Sequence, residues 1–91
     1  MVDATPARQQ LRDLAAWGFP ATWIADRLGM TRTSVYAIRN GNRTTIHPYV
    51  ARTIARLHTQ LQDANPADHG VTKHGATAAR WLPLTRGWDT T

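Results

Sequence analysis

The stretch from Gly29 to Asn42, GMTRTSVYAIRNGN, combines polar and basic side chains with apolar residues at helical spacing. It contains two arginines, one tyrosine and two asparagines, and it has no acidic residue. Arginine can donate two parallel hydrogen bonds to a phosphate or to O6 and N7 of guanine, and asparagine can pair in the same way with an adenine edge. These residue types predict recognition of a nucleic acid rather than a bond-breaking reaction.

The angular position of each side chain on a helix separates candidate contacts from core residues. At about 100° per residue, the side opposite Val35 and Ile38 faces away from the core, and we expect base contacts there. The candidate base-contacting residues are Arg32, Thr33, Tyr36, Ala37 and Asn40. Arg39 is a candidate phosphate-contacting residue on the same helix. Arg39 lies only about 40° from Val35 around the helix, so its side chain would have to extend past the core to reach a phosphate.

Three helices are predicted before residue 41. A helix-capping threonine followed by proline predicts a first helix from about 6 to 17. Pro20 opens a second helix, which ends at Gly29. Thr31 caps a third helix, and Asn40-Gly41 ends it. The candidate base contacts therefore lie on a short helix with a defined start and end.

The second and third predicted helices, with the turn between them, have the arrangement of a helix-turn-helix. Two short helices joined by a turn, with a basic free side on the second, have the shape that enters a major groove. Ala25 is small where the helices must cross, and Gly29 permits a positive φ in the turn. Met30 is expected to fill the core just after the turn.

A fourth helix is predicted to start at Ile46 to Pro48 and to run to about Gln62, because Val50, Ile54, Leu57 and Leu61 form one apolar stripe. After it, DANPADHGVTKHG is rich in proline, glycine and small polar residues and has no apolar period. We therefore expect a helix-turn-helix domain over 1–62, a linker over 63–75 and a C-terminal tail over 76–91. The tail should form a short helix around 76–82, ending before Pro83. The predicted fold class is an all-α bundle of four to five helices with a short tail.

The tail contains four large apolar residues whose partner the sequence leaves open: Trp81, Leu82, Leu84 and Trp88. Clustered aromatic residues on a surface usually mark a contact. They could fold back on the domain, pack against a second copy of the chain, or remain disordered. The second possibility makes them candidate dimer contacts.

The positive charge is concentrated in the middle of the chain. The formal net charge of the 91 residues is +5, and the segment 19–56 carries six arginines against one aspartate, whereas the segments on either side are each neutral. Such a concentration suits a polyanion-binding surface, although a basic face can also serve only solubility.

Several classes of site lack the residues they need. The absence of cysteine excludes disulfides and thiolate sites. His69 and His74 lie in the predicted linker without an acidic cluster, so we expect no metal. The only serine, Ser34, lies inside the third helix, and no glycine-rich phosphate loop occurs, so we expect neither an enzyme nor a cofactor. No run approaches the length of a membrane span, and we expect a cytoplasmic, nucleoid-associated protein without membrane contact.

The stretch IADRLGMTRTSVYAIRNGN, Ile24 to Asn42, resembles the helix-turn-helix of the phage repressor and Cro-like family, as found in small actinobacterial and actinophage DNA-binding proteins. The matching elements are the apolar-alanine pair, the apolar-glycine-apolar turn, the threonine cap, two further apolar positions and the closing Asn-Gly. The resemblance implies that Arg32, Thr33 and Tyr36 enter the groove and that the loop 42–45 touches the DNA backbone. The further candidate phosphate-contacting residues that follow from it are Thr22, Thr31, Asn42, Arg43, Thr44 and Thr45. One departure is that the second helix begins Pro20-Ala21-Thr22, without the glutamine that often binds phosphate there.

Together these features predict a sequence-specific regulator that binds double-stranded DNA as a homodimer, a repressor in the first instance. The sequence leaves two other interpretations of the function open. One is a phage or plasmid DNA-processing protein, such as an excisionase or a small packaging subunit. The other is a protein-interaction module, because a fold alone does not set a function.

Overall fold

A computed structural model describes residues 1–88 of the chain. In this part of the chain five α-helices, one short 3₁₀ helix and one two-stranded antiparallel sheet follow one another. Their bounds are β1 Val2–Asp3, α1 Thr5–Ala16, α2 Ala21–Leu28, α3 Arg32–Arg39, β2 Thr45–Ile46, α4 Pro48–Gln60, the 3₁₀ helix Pro66–His69 and α5 Lys73–Arg86. The predicted all-α fold class is confirmed.

The first helix is the centre of the bundle. α1 contacts α3, α4 and α5, and its Leu11 and Leu14 side chains are completely buried. They pack in one core with Phe19, Ile24 and Ile54, which come from the following turn, from α2 and from α4. Each helix thus contributes an apolar stripe to a shared core, as their periodicity predicts.

A polar contact ties α4 to α1 beside this core. The carboxylate of Asp13 is almost completely buried, and its Oδ2 lies 2.9 Å from Nε2 of His58. Gln9 donates a hydrogen bond to the other carboxylate oxygen at 3.1 Å, and the His58 ring stacks against Trp17 at a centroid distance of 4.8 Å. Burial of the carboxylate is therefore compensated by hydrogen bonds to both of its oxygens.

The turn between α2 and α3 forms as the sequence predicts. Gly29 has φ +67° and ends α2, and the amide of Met30 donates to the carbonyl of Ala25 at 2.9 Å. A Cβ at Gly29 would meet no atom within 4 Å. The turn therefore requires glycine for its left-handed backbone and not for lack of space.

A small sheet joins the N-terminus to the loop after α3, and the sequence analysis missed it. Val2 pairs with Ile46 and Asp3 with Thr45 in antiparallel register, and the amide of Ala4 donates to the carbonyl of Thr44 at 2.9 Å. Strands of two residues are too short to produce a readable alternation. The pairing fixes the end of the loop 42–45 against the start of α1.

The segment 63–75, expected to be a linker between a domain and a tail, contains the 3₁₀ helix and the start of α5 and packs on the domain. Trp23 donates from its indole Nε1 to the carbonyl of His69 at 2.9 Å, so the 3₁₀ helix is attached to α2. Val71 is buried in the common core. The segment therefore belongs to the same packed unit as the four helices before it.

The last helix is also longer than predicted at both ends. It starts at Lys73 because the hydroxyl of Thr72 accepts a hydrogen bond from the amide of Gly75 at 3.0 Å and caps the first turn. It continues through Pro83 to Arg86. Ala76, Ala79 and Pro83 form its buried side, and packing against α1 offsets the hydrogen bond that proline removes.

Candidate nucleic-acid interface

The start of α3 presents two of the predicted base-contacting residues to solvent. Thr31 caps this helix, with its Oγ1 accepting from the amide of Ser34 at 3.1 Å. Arg32 and Thr33 are the first two residues inside the helix, and both are exposed. No acidic residue lies in this first turn, so a cationic side chain and the positive end of the helix dipole share one location. This location favours an anion.

The inner and outer sides of α3 separate as the helical spacing predicts. Val35 and Ile38 are completely buried, whereas Tyr36 keeps 39% of its surface exposed. Asn40 is exposed and Ala37 is half-buried. The five predicted base-contacting residues thus retain access to solvent on the side of α3 that faces away from the core.

The loop that follows α3 is held by backbone hydrogen bonds. Gly41 has φ +84°, and the amides of Asn42 and Arg43 both donate to the carbonyl of Ala37, at 2.9 and 3.2 Å. The side chains of Arg43 and Thr44 are exposed beyond this anchor, together with those of Asn42 and Thr45. Since β2 fixes the far end of the loop, Arg43 projects from a backbone attached at both ends.

Two further predicted phosphate contacts flank α3. Thr22 is exposed in the first turn of α2, and Thr31 is exposed at the cap of α3. The hydroxyl of Thr31 donates to Ser34 Oγ at 3.0 Å while it accepts from the Ser34 amide. Its role in the helix cap is therefore defined, whereas Thr22 is the freer of the two to meet a ligand.

The placement of Arg39 disagrees with its expected role as a phosphate contact. Only 3% of this residue is exposed. Its guanidinium carbon lies 5.1 Å from the ring centre of Tyr36 and 5.3 Å from that of Trp88. The proximity of Arg39 to the Val35 side of the helix was readable from the sequence. The covering indole, 49 residues further along the chain, was not.

Trp88 brings three guanidinium groups together. Besides Arg39, Arg12 lies over this ring at 4.8 Å and Arg86 at 5.9 Å from its centre. Arg12 also donates from Nε to the carbonyl of Arg39 at 2.9 Å, which attaches the end of α3 to α1. Burial lowers the pKa of Arg12, and Arg8 lowers it further. The sequence analysis missed this role of Arg12, because an arginine in a first helix gives no signal of a contact with the third.

The four candidate dimer contacts do not form one exposed patch. Trp81 and Leu84 are 59% and 75% exposed on the outer side of α5. Leu82 is half-buried on the other side, and Trp88 is half-buried beneath the arginines. An apolar surface for a partner is therefore carried by Trp81 and Leu84 alone among these four.

The histidines and the helices of residues 1–88 bear on two other expectations. No group of three or more histidine, cysteine or acidic side chains is arranged to hold a metal ion in this part of the chain. His69 instead packs edge-on against Trp23 at 6.0 Å. Within the same residues, none of the helices has the length and apolar character to cross a membrane.

Comparison of the chain with models of protein families, with curated proteins and with solved structures gave no match.

Proposed function

We propose that this protein is a sequence-specific regulator, a repressor in the first instance, that binds double-stranded DNA by placing α3 in a major groove. The observation that carries the proposal is the outer side of α3, where Arg32, Thr33, Tyr36 and Asn40 stand exposed on a helix pinned by Val35 and Ile38. The resemblance of residues 24–42 to phage repressors and Cro-like proteins supports the same docking. In this arrangement Arg32, Thr33 and Tyr36 read base edges.

The loop after α3 supports the proposal because it carries an exposed cation beside that helix. Arg43 is exposed on a loop whose amides are anchored to Ala37 within α3. A cation fixed relative to the reading helix can set its register on the duplex. Thr22 and Thr44 would add hydrogen bonds to the backbone on either side.

The test is selection of bound sequences from a random duplex pool, followed by a salt titration on the selected site. A DNA reader that neutralises phosphates loses affinity with a log-log slope of about −0.9 per phosphate. We expect a steep negative slope and a clear preference for the selected site over random DNA. A flat salt response, or equal affinity for both sequences, would contradict the proposal.

We further propose that the protein acts as a homodimer through the outer side of α5. A single small module offers limited contact area, so specific binding usually needs two copies on a two-fold symmetric site. Trp81→Ser should shift the protein toward monomer in sedimentation velocity. Tyr49→Ser is the matched control, because Tyr49 is 61% exposed on α4. Identical sedimentation of wild type and Trp81→Ser would exclude this surface as the dimer contact.

A further inference from the structure

A cleft opens between α2 and α5, next to the outer side of α3. Its volume is ≈ 740 Å³, which lies within the roughly 300–1,000 Å³ typical of small-molecule sites. Most of its wall is apolar, with Pro20, Trp23, Val71 and Leu82 among the lining residues. Arg39 and Tyr36 close the side formed by α3.

Arg39 is the unusual component of this wall. Only 3% of its surface is exposed. Within the described residues, its Nε and Nη1 atoms have no hydrogen-bond partner. A guanidinium remains charged in proteins, and burial of an unpaired charge is costly. Stacking on Tyr36 and Trp88 compensates part of that cost and leaves the two donors unused.

Two neighbouring arginines, Arg12 and Arg86, make the electrostatic potential at Arg39 more positive. Burial is the main cause that lowers the pKa of Arg39. The charges of three neighbouring groups shift this pKa as well, namely Tyr36, Arg86 and Arg12. The two arginines lower the pKa of Arg39 further, and Tyr36 opposes them. Since no carboxylate within residues 1–88 is among these groups, the charges of this part of the chain favour an anion beside the guanidinium.

The cleft also limits the charge that a ligand can carry. Asp26 lines it on α2 and is exposed, and it is not among the groups that shift the pKa of Arg39. A second negative group placed toward Asp26 would be repelled. One carboxylate on an apolar body fits both the cationic end and the apolar walls.

We infer that this cleft binds a small aromatic or aliphatic monocarboxylate, whose carboxylate accepts hydrogen bonds from Nε and Nη1 of Arg39 while its apolar body lies between α2 and α5. The carboxylate reaches these atoms by displacing part of the aromatic cover formed by Tyr36 and Trp88. Arg39, Tyr36 and the cleft walls are present in the protein without DNA, so ligand binding can be measured separately from the proposed function.

The test is isothermal titration calorimetry of the full chain, without DNA, using 2-naphthoate and its uncharged counterpart 2-naphthamide. Charge-assisted hydrogen bonds of this kind correspond to roughly a ten- to hundred-fold difference in affinity. We expect 2-naphthoate to bind that much more tightly than 2-naphthamide. Arg39→Met should remove the difference, and Arg52→Met, at an exposed arginine of α4, should keep it.

A second variant protects the test against misfolding of Arg39→Met. Ala78 lines the cleft on the exposed part of α5, so Ala78→Phe should fill the cleft and abolish binding while Arg39 stays in place. Circular dichroism establishes that each variant is folded. Equal affinity for the two probes, binding that survives in folded Arg39→Met or Ala78→Phe, or no binding of 2-naphthoate to the wild type would each overturn the inference.

Discussion

At the scale of single residues, two exposed arginines of the candidate interface differ in what they are attached to. Arg32 lies in the first turn of α3, where a helix in the major groove meets base edges. Arg43 lies on the loop, beyond the two amides that bond to Ala37. The same side chain is therefore expected to serve sequence readout at one position and register on the backbone at the other.

Arg32→Ala and Arg43→Ala should separate these two roles. Arg32→Ala should cost about 1–3 kcal/mol of binding free energy on the selected site and relax preference at one base position. Arg43→Ala should weaken binding to all sequences alike and reduce the salt slope by about one unit. Fluorescence anisotropy over a panel of single-base variants measures both effects. Indistinguishable profiles for the two mutants would show that the division into base and phosphate contacts is wrong.

Asp13 carries a second prediction at this scale, on stability. Its carboxylate meets His58 with one oxygen and Gln9 with the other, whereas an asparagine offers one oxygen and one donating amide. Asp13→Asn should therefore lower the free energy of unfolding by about 1–3 kcal/mol, measured by urea denaturation. Asp63→Asn is the control, because Asp63 is exposed after α4. Equal stability of the two variants would mean that the Asp13 contact contributes little.

At the scale of elements, the turn between α2 and α3 determines the orientation of α3 relative to α2. Gly29 combines a left-handed backbone with open space for a side chain, so only backbone strain opposes substitution. Gly29→Ala should cost about 1–2 kcal/mol of unfolding free energy. Gly29→Asn should cost less, because asparagine tolerates this conformation better. Urea denaturation of the pair checks the ranking, and an alanine variant as stable as the asparagine one would contradict it.

The elements also show which information the sequence contains. The bounds of α2, α3 and α4 were predictable because capping residues, glycine stops and apolar stripes are local signals. The extent of α5 was not predictable, since Gly75 and Pro83 are unfavourable within a helix. The longer helix is stabilised by the packing of Ala76 and Ala79 on α1. The exposure of Arg32 and Tyr36 followed from helical spacing, whereas the burial of Arg39 depends on Trp88 from the other end of the chain.

At the scale of the whole molecule, the candidate interface and the cleft share two residues, Tyr36 and Thr22. Tyr36 is exposed on the outer side of α3 and also lines the cleft that contains Arg39. A ligand that displaces this ring changes a proposed base contact and brings a negative charge close to α3. Any such coupling is reciprocal in free energy, because binding of DNA must then oppose binding of the ligand to the same extent.

This coupling rests on both proposals and gives a final prediction. Saturating 2-naphthoate should raise the Kd for the selected DNA site by about five-fold or more, measured by anisotropy at constant ionic strength. 2-Naphthamide at the same concentration should leave the Kd unchanged, and Arg39→Met should lose the response to 2-naphthoate while it still binds DNA, since Arg39 is buried away from the exposed side of α3. If calorimetry shows the cleft occupied while the Kd for DNA stays constant, the position of Tyr36 does not control readout, and the ligand site and the reading helix act independently.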